Sequence, residues 1–249
     1  MSDSSWYRGR SSSVLDAIAT TRSIHRFEAT EVSKDQLNKI LFAATRGPSG
    51  SNLQPFRFLV LERGSRATRA RELLGAEVRR RWAEKDSREG FRSDGVSDRR
   101  SRTANAMEQF VQSFEEIPIV ILACLQRNRA PQPLEGASIY PACQNLLLAA
   151  ADVGLGGTIM LWHEQIQDDL KQALDIPENV GIAATIPIGV PMGTHGPLRR
   201  RPLKDLVYVD KWGSPGSWVS EPAGAPRVHD SKTAASNASV RAGSRTSLP

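Results

Sequence analysis

Gly47-Pro48-Ser49-Gly50-Ser51-Asn52-Leu53-Gln54-Pro55-Phe56 is the stretch from which the rest of this chain can be read. Its glycines and prolines break regular structure, so neither a helix nor a strand runs through it. Small residues let the backbone approach a flat ligand closely. Ser49, Asn52 and Gln54 crowd donors and acceptors into the same tight space. A plain connecting turn has no need of so many specific amides, so the stretch reads as a binding turn.

Working outward from the turn, regular structure is expected on both sides. Upstream, Lys34 to Arg46 carries Leu37, Ile40, Leu41 and Ala44 at helical spacing, with Ser33 as N-cap. Val14 to Thr20 reads as a shorter helix. Downstream, Phe56 to Leu61 reads as a strand, followed by a charged helical region, a loop over Ser87 to Ser97 and a helix from Arg102 to Phe114. Pro118 to Leu125 is continuously apolar, as a strand buried on both faces should be. Gly136 to Val153 reads as a central apolar helix and Glu164 to Leu174 as an amphipathic one. Ala183 to Val190 and Leu206 to Val209 read as strands. The strands are too few and too irregularly spaced for a doubly wound sheet. An α+β layered architecture, a small sheet inside helices, fits better.

The chain has 249 residues and 39% hydrophobic composition, enough for one domain with a real core. Three segments are expected: a flexible stretch 1–13, a folded domain 14–213, and a tail 214–249. The tail is rich in Ser, Ala, Gly, Pro and Arg, and too poor in apolar residues to offset its ordering entropy. No apolar run approaches the roughly 20 residues that cross a bilayer, and no secretory leader is evident. Cys124 and Cys143 sit in apolar surroundings and read as buried thiols of a reducing, cytoplasmic compartment.

The net charge of +6 raises the question of nucleic acid. Between Arg63 and Arg102 lie 13 Arg or Lys against 7 Asp or Glu, so this one segment holds the whole excess. Its cations alternate with acids, and Leu74, Val78 and Trp82 recur at helical spacing. A helix with one buried stripe and a solvated charged face accounts for it, ahead of an anion site and well ahead of nucleic acid.

Familiar catalytic devices are missing. The four histidines, at 25, 163, 195 and 229, lack metal-ligand spacing, and there is no CxxC, GxSxG or phosphate-binding glycine loop. Gly154-Leu155-Gly156-Gly157 follows a helix instead of opening one. Such a protein, if an enzyme, borrows reactivity from a cofactor. Two further polar clusters could hold one. Arg22-Ser23-Ile24-His25-Arg26-Phe27 could grip a phosphate or could simply be a solvated helix end. Pro197-Leu198-Arg199-Arg200-Arg201-Pro202-Leu203 has three adjacent arginines that cannot all share one face, so one can turn inward to an anion.

Taken in order and with this spacing, the clusters resemble the nitroreductase family of flavoproteins over roughly Val14 to Gly213. The family signature runs Arg-Ser-x-Arg/Lys, then Pro-Ser-x-x-Asn-x-Gln-Pro-aromatic, then Gly-Leu-Gly, then Arg-Arg-Pro-Leu. The resemblance implies a three-layer α/β/α sandwich with a small, mostly antiparallel sheet and an intertwined homodimer. It implies FMN, with its phosphate clamped by Arg22, Ser23, His25 and Arg200, and with Arg26 or Arg199 in reserve. Pro48, Ser49, Gly50, Asn52 and Gln54 would lie along the partner's flavin, and Gly157, Thr158, Ile159 and Met160 on the other side of the ring system. His25 departs from the family's usual Arg or Lys; a nearby phosphate would raise its pKa and hold it charged.

The activity implied is hydride transfer from NAD(P)H through flavin N5 to an electron-poor acceptor such as a nitroaromatic or quinone. No side chain is then required as catalytic acid or base, and no metal, membrane or nucleic-acid partner is implied. The basic region from Arg79 to Arg102 sits where family members build variable substrate lids. Two alternatives stand beside this one: the same fold with dehalogenation or flavin breakdown as its reaction, and a flavin-storage protein with little turnover.

Overall fold

The computed structural model describes residues 14–89, 99–193, 195, 198 and 200–222. The chain divides into two units, Met1–Thr194 and His195–Pro249, so the break falls before the domain end expected at 213. The first unit is built on a four-stranded sheet. In chain order its elements are α1 (Val14–Thr20), α2 (Lys34–Ala44), β1 (Phe56–Leu61), α3 (Ser65–Glu89), α4 (Arg99–Gln112), β2 (Ile119–Gln126), α5 (Tyr140–Asp152), β3 (Gly156–Gly157), α6 (Gln167–Leu174) and β4 (Val180–Gly189).

The sheet order is β1-β2-β4-β3, and every pairing is antiparallel. The central strand β2 is buried along nearly its whole length, and its residues alternate between two cores. Ile119, Ile121, Ala123 and Leu125 face α2 and α5, where Leu37, Ile40, Ala142 and Leu146 close the layer. Val120, Leu122 and Cys124 face Leu74, Val78 and Trp82 of α3, Phe110 of α4 and Leu170 of α6. Helices on both faces of a small antiparallel sheet make the three-layer α+β sandwich expected from the resemblance.

Local rules account for most of the element ends. Ser33 caps α2 through a complete capping box with Gln36. A bulge opposite Ala123 and Cys124 sends Ile182 to one core and Ala184 to the other, because one extra residue flips the side-chain alternation. The helix expected from Gly136 begins as a 3-10 turn over Glu135–Ser138, and Pro141 then opens α5. Of the loop expected over Ser87 to Ser97, Ser87 to Glu89 continue α3, and residues 90–98 lie outside the described residues.

The buried stripe of α3 is Leu74, Val78 and Trp82, as their spacing predicts, but two charged residues share it. Arg71 is 5% exposed and donates to the carbonyls of Leu61 (2.7 Å), Ile117 (2.5 Å) and Pro118 (3.1 Å), tying the end of β1 to the start of β2. Burial brings its pKa down to about 10. Glu77 is also buried and takes Arg80 and Arg81 as partners. Arg79 makes a two-pronged pair with Glu115, and Arg66 pairs with Asp175. Part of this region's charge is therefore met inside the fold, by its own Glu77, by Glu115 and Asp175 from elsewhere in the chain, and by the carbonyls around Arg71.

In the second unit a 3-10 turn spans Leu203–Asp205. The strand expected over Leu206 to Val209 does not form, because the amides of Leu206 and Val207 both bond the Leu203 carbonyl and leave no ladder to share. Beyond it, a turn falls at Ser217 and Trp218, the Val209 amide donates to the Ser214 carbonyl at 3.0 Å, and Val219 is buried. Tyr208 and Trp212 meet edge to face at 4.9 Å. The remainder of the tail, 223–249, and the segment 1–13 lie outside the described residues.

Candidate functional site

Two of the three clusters lie in the first unit, at opposite ends of the sheet. The first is anchored by Ile24, which is fully buried and whose amide donates to the Gly157 carbonyl at 3.0 Å. Ser23 forms a parallel bridge to Gly157, and Phe27 an antiparallel one to Pro191. The segment thus lies across the end of β4, with Ile24 as an inward peg, Ser23 exposed and Arg22 and His25 half-buried. A guanidinium, a hydroxyl and an imidazole within four residues make a donor set suited to a phosphate.

His25 is packed edge to face against Phe110 of α4 at 5.1 Å, and Phe110 is itself locked against Phe114 at 5.8 Å. Burial and the neighbouring Arg22 charge bring its pKa down to about 4. With no anion beside it the imidazole is neutral near pH 7. This is the reverse of the charged state expected beside a phosphate, and its cause is physical: an apolar wall and a like charge both oppose protonation.

The Arg22–His25 cluster is bridged to the segment expected on the other side of the ring, through the Ile24 amide and the Gly157 carbonyl, so the structure brings these two together. Gly157, Thr158 and Met160 are buried and Ile159 is half-buried, which leaves only a thin strip of this segment at the surface. Met160 and Thr185 exchange both backbone bonds at 2.9 Å. Behind them, His163 is 4% exposed, with Nε2 3.0 Å from the Ile182 carbonyl and Nδ1 3.1 Å from the Thr185 hydroxyl. A carbonyl only accepts, so Nε2 carries the proton and Nδ1 accepts from Thr185. His163 has no visible partner in the sequence because Thr185 and Ile182 are about 20 residues away. Burial lowers its pKa as well.

The Pro48 to Gln54 turn is at the other end. Ser51, Asn52 and Gln54 all have left-handed backbone, at φ of 50°, 52° and 47°. Three non-glycine residues in that region within one turn are costly and persist only where the surroundings impose them. The Ser49 hydroxyl accepts from the Gln54 amide at 3.0 Å, and the Gln54 side chain donates to Asn52 Oδ1 at 3.2 Å. Arg57 donates to the Gln54 carbonyl at 3.0 Å, and the Gly50 amide to Ser138 Oγ at 3.4 Å. Gly47 lies so close to α5 that a Cβ there would meet the Ala142 backbone nitrogen at 2.7 Å. Pro48 is exposed, and so is most of the turn around Leu53 and Gln54.

Strand register measures the separation. Phe56, just after the turn, pairs with Leu125 and through it with Gly181, whereas Gly157 pairs with Ile188. Gly181 and Ile188 are about 20 Å apart along an extended strand. The helix α5 gives the same span, since Ala142 in its first turn touches Gly47 and its last turn leads into Gly156. One small ligand cannot touch both clusters of the same chain. Of the third cluster, Arg199 lies outside the described residues, and Arg200 belongs to the second unit.

The sequence profile described as the nitroreductase family matches residues 18–190, well over half of the chain. The chain belongs to the nitroreductase family. A relative from Methanothermobacter thermautotrophicus, provisionally named NADH dehydrogenase/NAD(P)H nitroreductase, is 29% identical over 204 residues, covering 80% of this chain and 87% of its own. A provisionally named nitroreductase from Desulfovibrio desulfuricans, solved in complex with FMN, superposes with a TM-score of 0.60 at 26% identity. The match covers 80% of this chain and 97% of that one. The FMN- and NADPH-dependent nitroreductase from sphigopyxis sp. strain HMH has a TM-score of 0.61 at 18% identity, over 80% of this chain and 100% of the other.

As a nitroreductase-family member, this chain has the free, buried cysteines that its composition suggested: burial pushes Cys124 up to about 11 and Cys143 up to about 12, so neither is a reactive thiolate. Among the described residues there is no cluster able to hold a metal and no helix long and apolar enough to cross a membrane.

Proposed function

We propose that this protein is an FMN-dependent NAD(P)H oxidoreductase that works as a homodimer, each site taking Arg22, Ser23 and His25 from one chain and the turn Pro48 to Gln54 from its partner. The observation that carries the proposal is the separation of the two clusters: each is shaped for a ligand, and they lie too far apart in one chain to serve the same one. A second copy resolves this. The surface it would need is present, since Val14, Leu15 and Ile18 of α1, Phe42 of α2 and Leu53 of the turn are all exposed; Leu15 is 76% and Phe42 66% exposed.

The residues present fit FMN. When bound, the flavin supplies the redox chemistry, accepting hydride from NAD(P)H and passing it to an electron-poor acceptor such as a nitroaromatic or a quinone. Arg22 and Ser23 would hold the phosphate. Ser49, Gly50, Asn52 and Gln54 offer amides and a hydroxyl to the polar edge of the ring. Gly157, Thr158, Ile159 and Met160 form the floor of the site, held in place by Thr185 and His163. No side chain is assigned proton transfer, so orientation and water exclusion are the protein's contribution.

Anaerobic titration of the FMN-loaded protein with NADH and with NADPH tests the reading. Bleaching of the flavin absorbance by either donor, followed by recovery on adding a nitroaromatic or quinone, is the expected result. A protein that takes up no FMN sinks the proposal, and one that stays yellow with both donors is a storage protein.

A further inference from the structure

We infer that His25 makes cofactor binding proton-linked in this chain: the flavin phosphate and one proton enter the Arg22–Ser23–His25 cluster together, so FMN affinity falls as pH rises. The inference rests on the flavin reading above. It starts from a substitution, since the resemblance leads one to expect a permanent cation where this chain has an imidazole. It continues with geometry. Ile24 pegs the segment to Gly157, and Phe110, which is 1% exposed, packs edge to face against the imidazole at 5.1 Å, so the ring is held where the Arg22–Ser23–His25 segment crosses the end of β4.

Among the described residues, burial and the Arg22 charge both oppose a proton on His25. From α4 the contact is the uncharged ring of Phe110; the acid two residues before it, Glu108, accepts from Trp82 and Gln112. The charge that acts on His25 is Arg22, and it repels a second cation. A phosphate bound between Arg22 and Ser23 reverses this balance, because its charge outweighs Arg22 and its oxygens accept an imidazolium N–H. The group thus has a low proton affinity in the empty site and a higher one in the filled site. Linkage then requires proton uptake on binding over the interval between the two values. An Arg or Lys at this position is charged in both states and takes up nothing.

The sign is separable from the phosphate's own titration. A phosphate monoester gains its second charge near pH 6, which strengthens its binding as pH rises. That contribution is common to all variants, so the difference between wild type and His25→Gln isolates the imidazole. The experiment measures FMN binding by quenching of flavin fluorescence from pH 5 to pH 8. Calorimetry in buffers of different ionisation heat counts protons on the wild type, His25→Gln and His25→Arg, with riboflavin as the phosphate-free ligand.

Relative to His25→Gln, wild-type affinity for FMN should rise by up to about tenfold per pH unit as pH falls, with up to one extra proton taken up. His25→Arg should bind tightly with only the phosphate's own pH dependence, and riboflavin should show no difference among the three proteins. If wild type and His25→Gln share one pH profile and one proton count, His25 is not linked and the inference is overturned. If His25→Gln does not fold, wild type measured against His25→Arg makes the same distinction. Absence of FMN binding in all three proteins at every pH would instead sink the flavin reading.

Discussion

At the end of the sheet where β4 finishes, Ile24 and Gly156–Gly157 are closed against Ile188, Leu147 and Pro191, while at the opposite end the turn after α2 stands in solvent with Leu53 67% exposed. The closed end has no room for an added atom: a Cβ on Gly157 would meet Ile188 Cδ1 and the Pro187 carbonyl oxygen, both at 2.5 Å. The open end holds three left-handed non-glycine residues on a few hydrogen bonds. One end is finished by its own core, and the other, under the proposed dimer, meets a second copy. Strain in an exposed turn and tight packing around a buried bridge are the two halves expected of a site that two copies complete.

The largest effect should come from joining defective halves. Arg22→Ala in one copy and Asn52→Ala with Gln54→Ala in another each remove one half, and each protein alone should lose FMN. Mixed dimers place both defects in one site and leave the second site intact. Co-expression should therefore restore FMN to about half of the sites in the mixed dimer, measured as flavin absorbance per chain. No restoration would mean that both halves belong to one chain's site, and the comparison between the two ends would lose its basis.

Next in size is Gly157→Ala, whose methyl would be driven onto Ile188 and the Pro187 carbonyl of β4. Overpacking of this kind costs typically about 1–3 kcal/mol, so the melting temperature should drop by several degrees and FMN binding should weaken with it. An unchanged melting temperature would show that the closed end has slack that the structure does not display.

A smaller effect is expected at the open end. Asn52→Val puts a β-branched residue at φ 52°, where Asn is tolerated and Val is not. The cost of about 1–2 kcal/mol should appear as roughly tenfold weaker FMN binding with little loss of thermal stability, because the turn has few contacts of its own. A fall in stability equal to that of Gly157→Ala would show that the two ends are not built differently.

The last effect is on pH. His25 has a folded-state pKa of about 4 against an ordinary 6.5, and His163 is shifted in the same direction. In that window the unfolded chain binds more protons than the folded one. Stability of the FMN-free protein should therefore rise with pH from about 4 to about 6.5 and level off above it. Thermal melts across that range should show the slope, and His25→Gln should reduce it.

Helix and strand positions are legible in the sequence because they depend on local periodicity. The apolar spacing of Leu37, Ile40 and Ala44 and the Ser33 cap place α2, and the unbroken run in β2 places the central strand. Leu206 to Val209 reads as a strand and is not one, because a short apolar run becomes a strand only if a neighbour takes its amides, and here Leu203 takes two of them. Arg71 and Glu77 read as solvated charges, since nothing in the spacing of α3 tells that the Leu61, Ile117 and Pro118 carbonyls await a buried guanidinium. Thr185 and His163 escape a reading of the site for the same reason: their bond joins residues 22 positions apart.

By itself the sequence determined which residues could bind an anion and a flat polar ligand, because composition and short spacing decide what donors a segment can offer. It also determined the layered class of the fold, through periods that a helix or a strand must obey. Only the tertiary structure decided that Ser23 lies on Gly157, that His25 rests on Phe110 and is neutral there, and that the Pro48–Gln54 turn is a sheet's length away from both. Distance, burial and charge balance arise from contacts between residues remote in the chain, and no local pattern carries them.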